Sequence, residues 1–494
     1  MEDSPLWNIF STLSAWERQE FKKFIDSPVY NKSADVKTLF SILTNYIKQI
    51  KTPSSVLKIE SLTREELYKL VYGENTIYNS NKLSDIMSAL ITCIEEYFIY
   101  KELNNNLLEK EIKLCRALRK RGLNRRFEKT LEDSRQKLEK QPLRNAQYHW
   151  LLYQMYFEEH EYKHLIDEKK YNALSLNEAL GHLNSYIATE VLQHNSFLKS
   201  YYNRSEQKPF ESNAYQPLLK AILEAIESKN IEDPDAVWAH YHAYHVDNNL
   251  DNENYYHFKE LNSYLDTHRL VLSEYDLKQL HTIARNFCIK NQNEGKLDFM
   301  EKLFEYYKLA DREGFLLENG ILPVRTFRNV VLIALKSGDK EWAKKFIDTK
   351  KAFLPNIVNN ENSEDIAVVI VCNAWWYYGN NEPDEALKIL NNNKDFLYGA
   401  DYQDNCLTRT LKICIFYDSL HEFDNLEKSI SNFEQYIREY EDNNSKLSVR
   451  YKNFIRFVKR LNALTEEKKL KLKLKIEISK TEPLAQKDWL LSKL

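Results

Sequence analysis

The stretch KSGDKEWAKKFIDTKKAFLP, residues 336–355, decides how this chain is read. It carries a glycine at Gly338, a small residue at Ala343 five positions on, and a closing Pro355. A glycine between two antiparallel helices accepts φ > 0, and a small residue just inside the second helix lets that helix approach the first closely. The segment therefore predicts a helical hairpin.

Three further stretches carry related marks. NEGKLDFMEKLFEYY has Gly295 with Met300 and Phe304, YYGNNEPDEALKIL has Gly379 with Ala386, and YDSLHEFDNLEKSI has His421 in the glycine-like place with Leu426. Gly295, Gly338, Gly379 and His421 succeed one another at steps of 43, 41 and 42 residues. A fixed period of this length is the mark of stacked hairpins, none of which can bury its apolar side alone. The spacing from Gly379 to Ala386 is two residues longer than its counterpart.

Composition agrees with an all-α chain. The 494 residues include only 9 glycines and 11 prolines, so tight turns and strand corners are few, while 43% apolar and 13% aromatic content supports a packed core. Capping boxes are expected at Ser14 with Glu17, Thr63 with Glu66 and Ser175 with Glu178, and Asp233–Pro234 reads as another helix start. LKLKLKIEI, residues 470–478, alternates like a strand. It has no second strand to pair with, so it is read as a helix with Leu470, Leu474 and Ile478 on one face.

Gly338, Ala343 and Pro355 resemble the turn glycine, helix-B alanine and terminal proline of the tetratricopeptide repeat, with Phe327 near the place of its leading bulky residue. The period of ~42 exceeds the ~34 of that family, which implies longer loops. The whole chain also resembles a family of uncharacterised cytoplasmic helical-repeat proteins of Bacteroidota. That likeness is carried by EFKKFIDSPVYNK (20–32), EWAKKFIDTKKAFLP (341–355), LEKSISNFEQYIRE (426–439) and DWLLSKL (488–494). The two resemblances imply a TPR-like α-solenoid and bring no enzymatic activity with them.

Three regions are expected: an N-terminal helical domain over 1–105, helical hairpins over 106–250, and a TPR-like array with capping helices over 251–494. The change falls after Glu102, where an asparagine run follows a long helix. Six cysteines without a Cys-x-x-Cys pair, an acidic start with no apolar leader, and no apolar run of ~18 residues point to a cytoplasmic protein that does not enter a membrane. The net charge of −3 makes nucleic acid an unfavoured partner.

Chemistry-bearing motifs are sparse. His160, Glu161 and His164 match His-Glu-x-x-His, in which a helix brings both imidazoles to one face and the Glu serves a zinc-bound water, with Glu178 or Glu190 as third ligand. Glu158, Glu159 and Lys163 around the motif instead mark a solvent-facing helix end. The zinc hydrolase is thus the minority alternative. In WAHYHAYH, His242 and His245 share a face with Asp247 or Glu253 as further candidate ligands, and His240 points elsewhere, but Trp238, Tyr241 and His245 also make an ordinary packing stripe. No glycine-rich phosphate loop or nucleophile elbow is present, and no cofactor is expected.

Arg116, Arg119, Lys120, Arg121, Arg125 and Arg126 cluster around Gly122 and are read as a solvated rim, with nucleic acid or an acidic partner as the alternative. The expected function is a non-catalytic scaffold that binds a protein or peptide on its concave face. Arg328, Trp375, Tyr377 and Tyr378 are its candidate contacts.

Overall fold

The computed structural model describes residues 4–50, 62–166, 173–205, 216–228, 235–247, 253–293, 298–355, 363–398, 400–419, 423–440, 446–463 and 468–494. Among them lie 24 α-helices, two short 3₁₀ turns and no strand, only an isolated bridge between Glu318 and Ile321. The chain is all-α. Gly295, His421 and Asp233–Pro234 lie outside the described residues.

Two compact units are present, one of residues 1–142 with 147–184 and one of residues 143–146 with 185–494. In the first unit, α1 (Pro5–Thr12), α2 (Ala15–Asp26), α3 (Ala34–Ile50), α4 (Arg64–Tyr72) and α5 (Ser80–Asn105) enclose one core that includes Phe10, Phe21, Leu39 and Leu90. A second core is built by α6 (Leu107–Lys120), α7 (Asn124–Glu139) and α8 (Ala146–Ile166) around Cys115, Phe127, Leu152 and Met155. Helix α9 (Leu174–Ser205) has residues in both units.

The second unit continues with α10 (Gln216–Glu227), α11 (Ala236–Asp247), α12 (Glu253–Thr267), α13 (Glu274–Asn293) and α14 (Asp298–Arg312). Next come α15 (Val324–Lys336), α16 (Lys340–Lys350), α17 (Ser363–Gly379), α18 (Pro383–Asn392) and the short α19 (Lys394–Tyr398). The last are α20 (Tyr402–Asp418), α21 (Phe423–Glu439), α22 (Lys446–Asn462), α23 (Lys468–Lys480) and α24 (Lys487–Ser492). Each of α11, α13, α15, α17 and α20 packs on the helix that follows it, and α11 also meets α13, α15 meets α17, and α17 meets α20.

The hairpin turn expected at Gly338 is formed. Gly338 has φ 85°, its N–H bonds to the Leu335 carbonyl and the Asp339 N–H to the Ala334 carbonyl, which closes α15 with a left-handed cap. Ala343, five residues on, is fully buried, and Phe327 meets Phe346 across the hairpin at 5.7 Å. The next hairpin corrects the assignment of Gly379. That glycine belongs to the last turn of α17, and the left-handed residue is Asn381, φ 61°, with the same pair of bonds from Asn381 to Tyr378 and from Glu382 to Tyr377. Ala386 lies five residues beyond Asn381 and is also fully buried, so the two turns share one geometry. Asparagine tolerates the left-handed region because its short polar side chain bonds locally.

The capping boxes at Ser14 with Glu17 and Thr63 with Glu66 are both present. Ser175 does not cap: α9 already begins at Leu174, and the Ser175 hydroxyl accepts from Lys163 Nζ at 3.2 Å. The alternating segment 470–478 lies in α23, with Leu474 and Ile478 buried and Leu470 43% exposed, one turn beyond the core. All six cysteines are buried free thiols. Among the described residues no helix is long and apolar enough to cross a membrane.

A Cβ at Gly338 would meet no atom within 4 Å, so the cost of Gly338→Ala is that of the backbone alone, about 1 kcal/mol. Gly338→Asn should cost less, as Asn381 does the same work. Urea midpoints of the two variants check this; a loss above about 3 kcal/mol for the alanine would mean that steric overpacking governs the turn.

Candidate functional site

The zinc-like motif closes α8. The His160 and His164 rings lie 6.2 Å apart, and the Glu161 carboxylate is 3.4 Å from Arg119 Nη1. Glu178 is exposed on α9. Among the described residues no group of three His, Cys, Asp or Glu side chains gathers where a metal ion could be held.

The acidic residues before the motif have a different role from the one expected. Glu158 is 1% exposed, not solvent-facing, and takes Arg116 Nε at 2.5 Å and Arg119 Nε at 2.8 Å. Glu159 pairs with Arg135 and Lys163, whose charges hold its carboxyl below the ordinary range against the opposing effect of burial. The basic run is thereby divided. Arg116 and Arg119 are engaged by Glu158, Arg121 bonds the Ala117 carbonyl of its own helix, and Lys120, Arg125 and Arg126 are exposed around the Gly122 turn.

The histidines of α11 face two ways. His240 Nε2 lies 3.2 Å from Asp276 Oδ1, and Asp276 also forms a capping box with Ser273 at the start of α13. His242 Nδ1 is 3.0 Å from His257 Nδ1, and His245 stacks on His257 at 4.3 Å. Burial, with the adjacent imidazoles His257 and His245, lowers the His242 pKa to about 4, so that ring is neutral near pH 7. Trp238, Tyr241 and His245 do form a contiguous stripe. The side chains of Asp247 and Glu253 lie outside the described residues.

Arg328 and Trp375 are interior. Arg328, on α15, is 1% exposed; its Nη1 lies 3.1 Å from Asp401 Oδ2 and 2.8 Å from Asp404 Oδ1, and its Nη2 donates to Gln403 at 2.7 Å. Asp401 is also the N-cap of α20, accepting from the Asp404 N–H, so one carboxylate both starts that helix and ties it to α15. Burial, added to by the neighbouring Asp401 charge, lifts the Asp404 carboxyl to about 6 despite Arg328. Trp375, 8% exposed, packs in the core between α17, α18 and α20.

Tyr377 and Tyr378 are half-buried. The Tyr378 hydroxyl donates to Asp418 Oδ2 at 2.7 Å and accepts from Trp489 Nε1 of α24 at 3.0 Å. Lys493 adds an ion pair to Asp418 at 2.6 Å, and the Trp489 ring lies 5.3 Å from Tyr417 and 6.1 Å from Phe454. A single short segment thus touches α17, α20 and α22. At the end of α15, Lys336 is exposed to solvent.

Among the candidate partner contacts, Arg328 and Tyr378 are both brought into polar sites shared between helices. The associates of Tyr378, namely Asp418, Trp489 and Lys493, are not legible locally because they lie 40 to 115 residues away. No family model matches the chain, and no curated protein and no solved structure matches it either.

Removing Arg328 should leave Asp404 buried without its countercharge. Arg328→Met is expected to lower stability by about 3–5 kcal/mol at pH 8, where a broken buried pair leaves a lone charge. The loss should be smaller near pH 5, because Asp404 binds a proton more tightly in the folded than in the unfolded chain and is then neutral. Urea titrations at both pH values check this; equal losses would exclude the charge as the cause.

Proposed function

We propose that this chain is a non-catalytic interaction scaffold, a TPR-like α-solenoid that binds a protein or peptide on the concave face formed by its alternate helices α15, α17, α20 and α22. Arrays of this kind expose one helix of each hairpin along an extended surface, and that surface is where their ligands lie. The repeated left-handed turns at Gly338 and Asn381, each followed at five residues by a buried alanine, support the repeat reading. One observation carries the functional reading: the polypeptide segment α24 already rests on α17, α20 and α22 through Trp489 and Lys493. Polar and aromatic side chains on these helices supply both anchoring area and direction. Buried free thiols are consistent with a reducing, cytoplasmic setting.

The test is recovery of a partner on the tagged full chain from its native host, followed by lysine cross-linking and mass spectrometry. Cross-links to the partner should fall on Lys336 of α15 and Lys412 of α20. Cross-links confined to Lys345, Lys388 and Lys428, on α16, α18 and α21, would reject the assigned face, and recovery of the bait alone would reject the scaffold.

A further inference from the structure

Helix α24 owes its shape to what it touches. The residue before it, Gln486, is left-handed at φ 48° and supplies no side-chain cap, and a six-residue helix does not persist on its own. Its side chains meet complementary groups in order. Trp489 sits among Tyr378, Tyr417 and Phe454, Leu490 is fully buried, and Lys493, one turn after the tryptophan, pairs with Asp418. Aromatic meets aromatic, and cation meets anion.

We propose that this face is a recognition groove for a short helical segment bearing Trp and Leu in succession and a basic residue four positions after the Trp. Helix α24 is its intramolecular occupant, and a partner segment of the same chemistry displaces it. The inference rests on the scaffold reading and adds to it the chemistry of the partner and a competition. A tryptophan seated among aromatic side chains with its N–H bonded is the kind of anchor that dominates small interfaces. Tethering keeps α24 in place at high effective concentration, while its uncapped, left-handed start weakens its hold. Vacating the groove uncovers Tyr378, Tyr417, Phe454 and Asp418 for the incoming segment.

The experiment uses the full chain and a fluorescein-labelled peptide of residues 482–494, read by anisotropy. Chains carrying Trp489→Ala or Lys493→Glu should bind the peptide at least ~10-fold more tightly than the unaltered chain, whose groove is filled most of the time. Adding Asp418→Asn to the Trp489→Ala chain should reverse most of that gain. Circular dichroism establishes folding; if Trp489→Ala melts, Lys493→Glu carries the comparison, because its side chain is not in the core. A folded variant that binds no peptide would make α24 a permanent part of the fold and overturn the proposal. Equal binding by variant and unaltered chain would place the peptide elsewhere, with the same consequence. Neither negative touches the cross-linking result, so the scaffold reading and the competition fail separately.

Discussion

An amphipathic hairpin can bury only the surface between its two helices, and the second unit depends on how the remaining apolar faces are covered. Helix α17 displays the solution. Val368 and Cys372 join the core shared with α11 to α16, while Ala367, Val371 and Trp375 join the one shared with α18 and α20. Helix α20 repeats the arrangement, giving Leu407, Leu411 and Ile415 to one core and Cys406, Ile413 and Cys414 to the next. Both helices are buried on two sides because each belongs to two cores. Their partners α16, α18 and α21 have a single buried side and a charged outer one.

Apolar contact is tolerant of sliding, and buried charge is not. Three interior carboxylates are each met by a cationic or imidazole group from a different helix: Glu158 by Arg116 and Arg119, Asp276 by His240, and Asp404 by Arg328. A buried carboxylate without its partner is costly, so each of these contacts penalises any other register of the two helices concerned. The Arg328 pair spans furthest, joining α15 to α20 across the intervening α17 hairpin. Asp401, which also accepts from Arg328, is the cap of α20, so helix start and helix placement share one carboxylate.

Much of the local structure was legible in the residues. Ser14 and Thr63 cap as read because a capping box needs only four consecutive residues. The same short pattern at Ser175 does not cap because α9 already begins at Leu174, whereas Ser273 and Asp276 form a box of equally local origin at the start of α13. Gly379 was given the turn because glycine is the commonest left-handed residue, yet Asn381 holds it, and only the buried Ala386 five residues later shows which of the two positions sets the hairpin. The immediate neighbours of the zinc-like motif do not show the role of Glu158, which depends on arginines 39 and 42 residues earlier.

The sequence by itself determined the helical class, the hairpin turn at Gly338 and the helical state of 470–478, since periodicity, capping and turn preference act over a few residues. The tertiary structure alone decided that Arg328 is an interior ion-pair partner, that Tyr378 meets Trp489, and that α24 lies on three other helices. Those outcomes require groups 35 to 111 residues apart to desolvate one another, and no local preference encodes that.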